Sequence, residues 1–427
     1  MGIKLAVVGG GSTYTPELVD SLCVHEDRLV VDELVLLDPD LDRLEPVAGL
    51  AGRILRQRGW GGNLVATDDR QRAVDGADFV VVQLRVGGQA ARHTDETLPI
   101  GYGCLGQETT GPGGLAKALR TVPLVLEIAE ETASRGAPGA WVVDFTNPVG
   151  IVTQALVDEG HRAVGLCNVA IHMQRRIGHY LGVDPDTVEL EHVGLNHLTW
   201  ARSATVAGVD RMPELLDRFH PELELESGVP AGLLRLLGAL PSYYLHYYYC
   251  LDETLAEQAA PGWRSRAEVV AELEAELLAE YRRPEVVTKP DKLSYRGGAF
   301  YSEAAVRLIA SLHAGTGDVQ VVDVRNGGAL PGVADDAVVE VPCTVDGDGA
   351  HPLPQRPLPP DMAGLVAHCK AYERLAVEAA MSGSRATMVR ALVANPLVGQ
   401  YPKAEMLADT LLTANRRYLP RFFPGDG

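Results

Sequence analysis

A cysteine and a histidine occur in two similar settings, Gly165-Leu166-Cys167-Asn168 and Gly194-Leu195-Asn196-His197. A thiolate and an imidazole are both good ligands for a divalent transition metal, and two protein ligands leave positions open for substrate oxygens. Cys167 follows the apolar stretch Ala163–Leu166, which reads as a strand whose carboxyl edge is where ligands of open α/β sheets bind. Against this, a lone buried cysteine is usually packing and a histidine is often a satisfied core residue. Spacing alone favours packing.

The second candidate site is Gly9-Gly10-Gly11-Ser12-Thr13-Tyr14, between a short apolar strand and a helix. Bare backbone in that setting can approach a pyrophosphate, and the helix start offers unpaired N–H groups and the positive end of its dipole. Asp38 closes the next strand, Leu34–Leu37, about where an acid would bind the ribose hydroxyls of NAD and repel the 2′-phosphate of NADP. Tyr14 stands where the fingerprint has its last glycine, so the pattern is imperfect. Strand, helix and acid together still favour a dinucleotide over an ordinary tight turn.

Three further groups could serve a sugar or its phosphate. Asn147, in Asp144-Phe145-Thr146-Asn147-Pro148, can donate and accept toward a hydroxyl, although capping the turn before proline suits it equally. Tyr243, Tyr244, Tyr247, Tyr248 and Tyr249 crowd one segment with His246. A phenol beside a metal or an arginine can become a base, whereas most such rings simply pack. Arg85, Arg92, Arg264 and Arg266 are candidate anion clamps through paired guanidinium donors.

These residues need a scaffold, and the first 165 residues alternate strand-like and helix-like stretches. Strands are expected at Ile3–Val8, Glu33–Leu37, Leu64–Ala66, Phe79–Leu84, Trp141–Phe145 and Ala163–Leu166. Helices are expected at Pro16–Cys23, Arg43–Arg58 and Leu115–Arg135. That rhythm predicts a doubly wound parallel sheet covered on both faces, an α/β fold of the Rossmann type. After Ala170 it changes. A helix at His172–Leu181, strands near Val188–Val193 and Thr199–Val206, an amphipathic helix at Ala267–Glu280, and late strands near Val319–Val324 and Val338–Thr344 indicate an α+β unit. His351–Pro360 reads as a proline-rich surface loop, followed by helix to about Tyr418. The expected domains are residues 1–169, binding the dinucleotide, and 170–427, carrying substrate and oligomer contacts.

The chain has 427 residues, 46% of them apolar and 22% charged, with a formal charge of −19. This is a globular composition with material for a large core. Its acidity argues against nucleic acid and anionic membranes as partners, so an anionic substrate would need arginines placed locally. The six cysteines are scattered without a C-x-x-C pair, which fits a reducing cytoplasm. The N-terminal apolar run is short and ends in glycines, as a strand does and a signal peptide does not.

Taken in order, the segments resemble glycoside hydrolase family 4 over nearly the whole chain. They are Val7–Pro16 (VVGGGSTYTP), Arg85–Arg92 (RVGGQAAR), Gly106–Gly114 (GQETTGPGG), Thr146–Pro148, Cys167–Val169 and Gly194–His197. Later come Tyr244–Tyr248 (YLHYY), Arg296–Ser302 (RGGAFYS) and Asn326–Gly332 (NGGALPG). The resemblance implies a Rossmann unit followed by a lactate/malate-dehydrogenase-like C-terminal domain, with NAD bound at Gly9, Gly10, Gly11, Ser12, Thr13 and Asp38. It further implies a divalent cation, usually Mn2+, on Cys167 and His197; substrate contacts at Arg92, Asn147, Asn168 and Arg266; and Tyr244 as the base. Asn168 matches the members that act on 6-phospho-β-glucosides; members with aspartate there cut α-linked phosphosugars. The chain departs from the family at Ala170, where proline commonly stands.

The reaction so implied is not the usual one between paired carboxylates, for this family is an exception. It is hydrolysis by transient oxidation at C3 of the sugar, loss of the aglycone and addition of water. A phosphorylated sugar as partner, a homodimer or homotetramer and a cytoplasmic location belong to the same expectation. The alternatives are a plain NAD-dependent 2-hydroxyacid dehydrogenase, or a member acting on α-linked or non-phosphorylated sugars.

Overall fold

The computed structural model describes residues 2–298 and 300–425. Its first strands are β1 (Ile3–Val8), β2 (Val31–Leu37), β3 (Asn63–Thr67), β4 (Phe79–Val82), β5 (Trp141–Asp144) and β6 (Ala163–Gly165). They pair in parallel in the order β3-β2-β1-β4-β5-β6, the strand order of the Rossmann fold. β1, β4, β5 and β6 are almost entirely buried, which is why they are near-continuous apolar runs and not alternating ones. The order reverses between β1 and β4, and the chain leaving β1 there is the glycine triplet.

The later strands extend the same sheet from its β6 edge. They are β7 (Val188–Leu195), β8 (Leu198–Val206), β9 (Val209–Asp210), β10 (Leu240–Pro241), β11 (Asp318–Arg325), β12 (Val338–Asp346) and β13 (Gly349–Pro352). The order runs β10-β8-β7-β12-β11-β6, with β9 on β8 and β13 on β12. Two antiparallel contacts are narrow, Asp323 to Gly165 and Glu340 to Gly194. They carry two acids to the strand ends that precede Cys167 and His197. β13 takes up His351 and Pro352, so the expected loop is shortened from its N-terminal side; a helix begins at Pro360.

Several helices escape the sequence reading, and two of them, Gly88–Thr97 and Val149–Asp158, border the site. The first is polar, with only Ala91, Asp95 and Glu96 buried. The second is apolar on every side and buried from Val149 to Leu156, so it shows no 3.6-residue period. Helix Arg266–Tyr281 follows the expected amphipathic stretch and starts in a capping box, Ser265 with Glu268, which satisfies two N-terminal donors reciprocally. The C-terminal helices share an apolar core with the first unit: Ala376, Leu407 and Leu411 cluster with Val122 and Val152. Among the described residues no helix is long and apolar enough to cross a membrane.

Candidate active site

The glycine turn is held by backbone. The N–H groups of Gly9 and Gly10 both donate to Leu37 O, at 2.9 and 2.8 Å. A Cβ on Gly10 would lie 2.8 Å from Leu36 Cβ, and one on Gly11 would lie 2.7 Å from Asp38 Oδ2, so strand and acid close against bare backbone. Asp38 Oδ2 accepts from Gly11 N at 2.9 Å, and burial raises its pKa. Thr13 is buried, donates to Glu274 Oε1 at 3.1 Å and accepts from Arg296 Nε at 2.7 Å. Tyr14, the departure from the fingerprint, donates its hydroxyl to Gly298 O. Glu274 also pairs with Arg43 and Arg296, both at 3.2 Å.

Cys167 and His197 arrive from opposite sides of the sheet extension. Cys167 follows β6 and is buried. Burial, with the charges of Glu340 and Asp323 behind it, pushes its thiol well up, while a hydrogen bond from Asn196 lowers it. His197 turns the chain from β7 to β8 at φ 65°, a conformation uncommon outside glycine. Its Nδ1 lies 3.2 Å from Thr109 Oγ1, and burial, then Lys117, lowers its pKa to about 3. The imidazole is therefore neutral at physiological pH and able to ligate. Tyr244 lies flat on it, with centroids 3.6 Å apart and planes 7° apart. Burial raises the Tyr244 pKa, the charges of Cys167 and Glu108 raise it further, and Arg92 opposes them.

The donor set fits a divalent cation. The set offers a soft thiol and a neutral imidazole, and Glu340 and Asp323 beside Cys167 supply acidic groups that would favour a cation there. Two protein ligands, Cys167 and His197, would leave a cation places for other oxygens; among the described residues no cluster of three His, Cys, Asp or Glu side chains is arranged to hold an ion.

Beside them lies a group of cations in excess. Glu108, 6% exposed, pairs with Arg85, with Arg92 at 3.1 Å and with Lys117 at 2.7 Å. Burial would raise its pKa, but Arg85, Lys117 and Arg92 together hold it well below the usual carboxylate value. Lys117 is the surplus charge: burial and the neighbouring arginine lower it to about 7. Arg92 also bonds Glu96 at 2.7 Å, and Glu96 accepts from Ala267 N at the start of helix Arg266–Tyr281. Arg266 donates to Tyr295 O at 2.7 Å and, among the described residues, has no carboxylate within 4 Å. Arg264 is exposed and pairs with Glu272 at 2.5 Å.

One cavity of about 970 Å³ joins these parts, large enough for a nucleotide and a sugar together. Gly9, Ser12 and Asp38 line it, as do Arg92, Asn147, Asn168, Arg266, His197 and Tyr244. Gly10, Gly11, Thr13 and Cys167 stand behind its wall. Asn147 brings a buried Oδ1 without a partner, an acceptor available to a hydroxyl. The residues missed in the sequence are Glu108, Lys117, Glu274, Arg296 and Tyr301, all lining the cavity. Glu108, Arg296 and Tyr301 lie inside stretches that carry the family resemblance but had no role of their own; nothing in the sequence marks Lys117 and Glu274.

The family 4 glycosyl hydrolase model matches residues 4–183, and the model of that family's C-terminal domain matches residues 192–398. The chain belongs to glycosyl hydrolase family 4. Among its curated relatives in the family, a Bacillus subtilis protein named "Probable 6-phospho-beta-glucosidase" is 40% identical, over 99% of this chain and 98% of its own. The 6-phospho-β-glucosidase of Escherichia coli is 36% identical, over 98% and 97%. A family 4 structure, the Thermotoga maritima 6-phospho-β-glucosidase with manganese, NAD+ and glucose-6-phosphate, superposes with a TM-score of 0.90. It is 32% identical and covers 97% of this chain and 99% of its own. A lactate dehydrogenase from a deep-sea metagenome library, 15% identical with a TM-score of 0.55 over 89% of this chain, shares the fold alone. The Rossmann unit with a lactate-dehydrogenase-like continuation is thus the family 4 architecture here.

Proposed function

We propose that this chain is a cytoplasmic 6-phospho-β-glucosidase, dependent on NAD and a divalent cation, Mn2+ by preference. The observation that carries the reading is the single cavity in which the glycine turn, the Tyr244–His197 stack and the surplus cations meet. Full-length identity to enzymes of that name supports the substrate class.

The glycine turn and Asp38 would hold NAD, and Cys167 with His197 would hold the cation. When bound, the dinucleotide supplies a reversible hydride acceptor for C3 of the sugar, and the cation polarises the neighbouring sugar oxygens. Arg266, whose charge is unpaired by any described carboxylate, binds the sugar phosphate together with Arg92. Asn147 and Asn168 orient hydroxyl groups. Tyr244 takes the proton from C2; burial and the charges of Cys167 and Glu108 raise its pKa, and Arg92 works against them in favour of the charged form. The flat His197 ring fixes where the phenol can reach. A mechanism with two carboxylates is poorly served here: Glu108 and Glu96 are tied to cations, and Glu108 is held ionised, unable to donate a proton.

The test is a panel of 4-nitrophenyl glycosides with NAD+ and Mn2+ present. The 6-phospho-β-glucoside is cleaved, without net NADH; the α-anomer and the unphosphorylated β-glucoside are cleaved far more slowly. Preference for either of the latter would overturn the substrate assignment, and accumulating NADH would mark a dehydrogenase instead.

A further inference from the structure

One part of the cavity wall has no role in that reaction. Tyr243, His246 and Tyr247 follow one another through the helical turns Tyr243–Leu245 and His246–Tyr249, and all three line the cavity. Ring centroids are 4.4 Å apart for Tyr243 and His246, 3.9 Å for His246 and Tyr247, and 6.1 Å for Tyr243 and Tyr247. Tyr243 meets Tyr244 edge-on, at 6.0 Å and 77°, so the two phenols present different faces. Tyr243 is 50% exposed, yet it stands on a concave wall beside the base. A large ring left half-covered inside a cavity offers its face to whatever occupies that cavity.

The chemistry says what must pass there. The bond that breaks joins the leaving group to C1, next to the carbon that Tyr244 deprotonates. The leaving group therefore departs from the carbon adjacent to the one that gives its proton to Tyr244. The nucleotide turn and the phosphate-binding arginines account for other walls; Phe145, Trp263 and Tyr301 also line the cavity, and Tyr243 with its two neighbours is the part that adjoins Tyr244 in the chain. Polar groups near it are mostly committed. Gln258 bonds both the N–H and the carbonyl of Gly106 at 2.9 Å, and Thr254 bonds Cys250 O at 2.9 Å. Glu257, exposed at the rim, is left to accept from a hydroxyl.

We propose that Tyr243, His246 and Tyr247 form the subsite for the leaving group, and that this subsite takes a six-membered ring laid against Tyr243. A pyranose and a phenyl ring share that chemistry: each has an apolar face that stacks on an aromatic ring, whereas a small alkyl group has none. The inference rests on the 6-phospho-β-glucosidase reading and extends it from the sugar that is oxidised to the group that departs.

The experiment measures kcat/KM for three 6-phospho-β-glucosides, with glucose, phenol or methanol as leaving group, in wild type, Tyr243→Ala, Tyr243→Phe and His246→Ala. The readout is the ratio of each ring substrate to the methyl glycoside, compared between variant and wild type, which cancels the intrinsic reactivity of the leaving group. Loss of a stacked ring lowers that ratio about 3- to 10-fold in Tyr243→Ala, chiefly through KM; Tyr243→Phe, which keeps the ring, retains it. A fall in the glucose ratio alone assigns a pyranose, and in the phenol ratio alone an aryl group. A structural role would lower all three substrates in proportion, and unchanged ratios in both Tyr243→Ala and His246→Ala would overturn the subsite. Wild type inert on all three would instead overturn the activity itself, and the subsite with it.

Discussion

The ring of Tyr244 lies on the ring of His197 with 3.6 Å between centroids and 7° between planes. One residue comes from the β7–β8 turn and the other from a helical turn after β10, so the stack ties the two chain segments on which the chemistry depends. It also gives the phenol a fixed position without using its hydroxyl.

Tyr244→Phe keeps that stack and removes only the base. Turnover should fall by roughly 10²- to 10⁴-fold, the usual contribution of a general base, with NAD+ and Mn2+ affinity unchanged. Exchange of a C2 deuteron with solvent, followed by NMR, should stop. Continued exchange in the variant would assign the base elsewhere.

On the proposed reading, Asp38 sets the choice of dinucleotide. Its carboxylate, bonded to Gly11 N at 2.9 Å, would sit against the ribose and repel a 2′-phosphate. Calorimetry should show NAD+ bound more than about tenfold tighter than NADP+, a modest demand on two like charges in contact. Asp38→Asn keeps an acceptor for Gly11 and removes the charge, so the preference should shrink. Equal binding by the wild type would contradict this.

Of the arginines that line the cavity, Arg266 is the one without a carboxylate within 4 Å among the described residues. Arg266→Ala should raise KM for the phosphorylated substrate roughly 10- to 100-fold, the scale of a lost charged hydrogen bond, with little change in kcat. Arg264→Ala, which removes an exposed arginine paired with Glu272, should do much less. Steady-state kinetics with both variants decides it.

How much of this was legible in the sequence depends on the range of the interaction. The buried parallel strands show as apolar runs, and helix Arg266–Tyr281 shows as a charged amphipathic stretch, both local signals. Glu274 could not be seen that way: its partners Thr13 and Arg43 lie 261 and 231 residues away in the chain. The helix Val149–Asp158 was hidden for the opposite reason, since burial on every side erases its periodicity. Glu108 stood in a quoted stretch, but only the fold shows three cations converging on it.

That convergence has a pH signature. The Glu108 carboxyl is depressed well below its ordinary 4.5 in the folded chain, so its contribution is complete above that value and is lost as pH falls through the folded one. Glu108→Gln should cost about 3–5 kcal/mol at pH 7, as breaking one partner out of a buried ionic group does. The gap from wild type in urea unfolding should narrow below about 4.5, as the carboxylate takes up its proton, and should also shrink above about 7, where Lys117 loses its own. A gap that widens on acidification would contradict the assignment.

The central prediction is that hydrolysis passes through an oxidised sugar. The direct measurement is turnover of 4-nitrophenyl 6-phospho-β-glucoside by protein exhaustively stripped of dinucleotide and metal, then given NAD+, Mn2+ or both. Activity should vanish on stripping and return only when both are added, with no net NADH at any point. Cleavage at full rate by the stripped protein would contradict it.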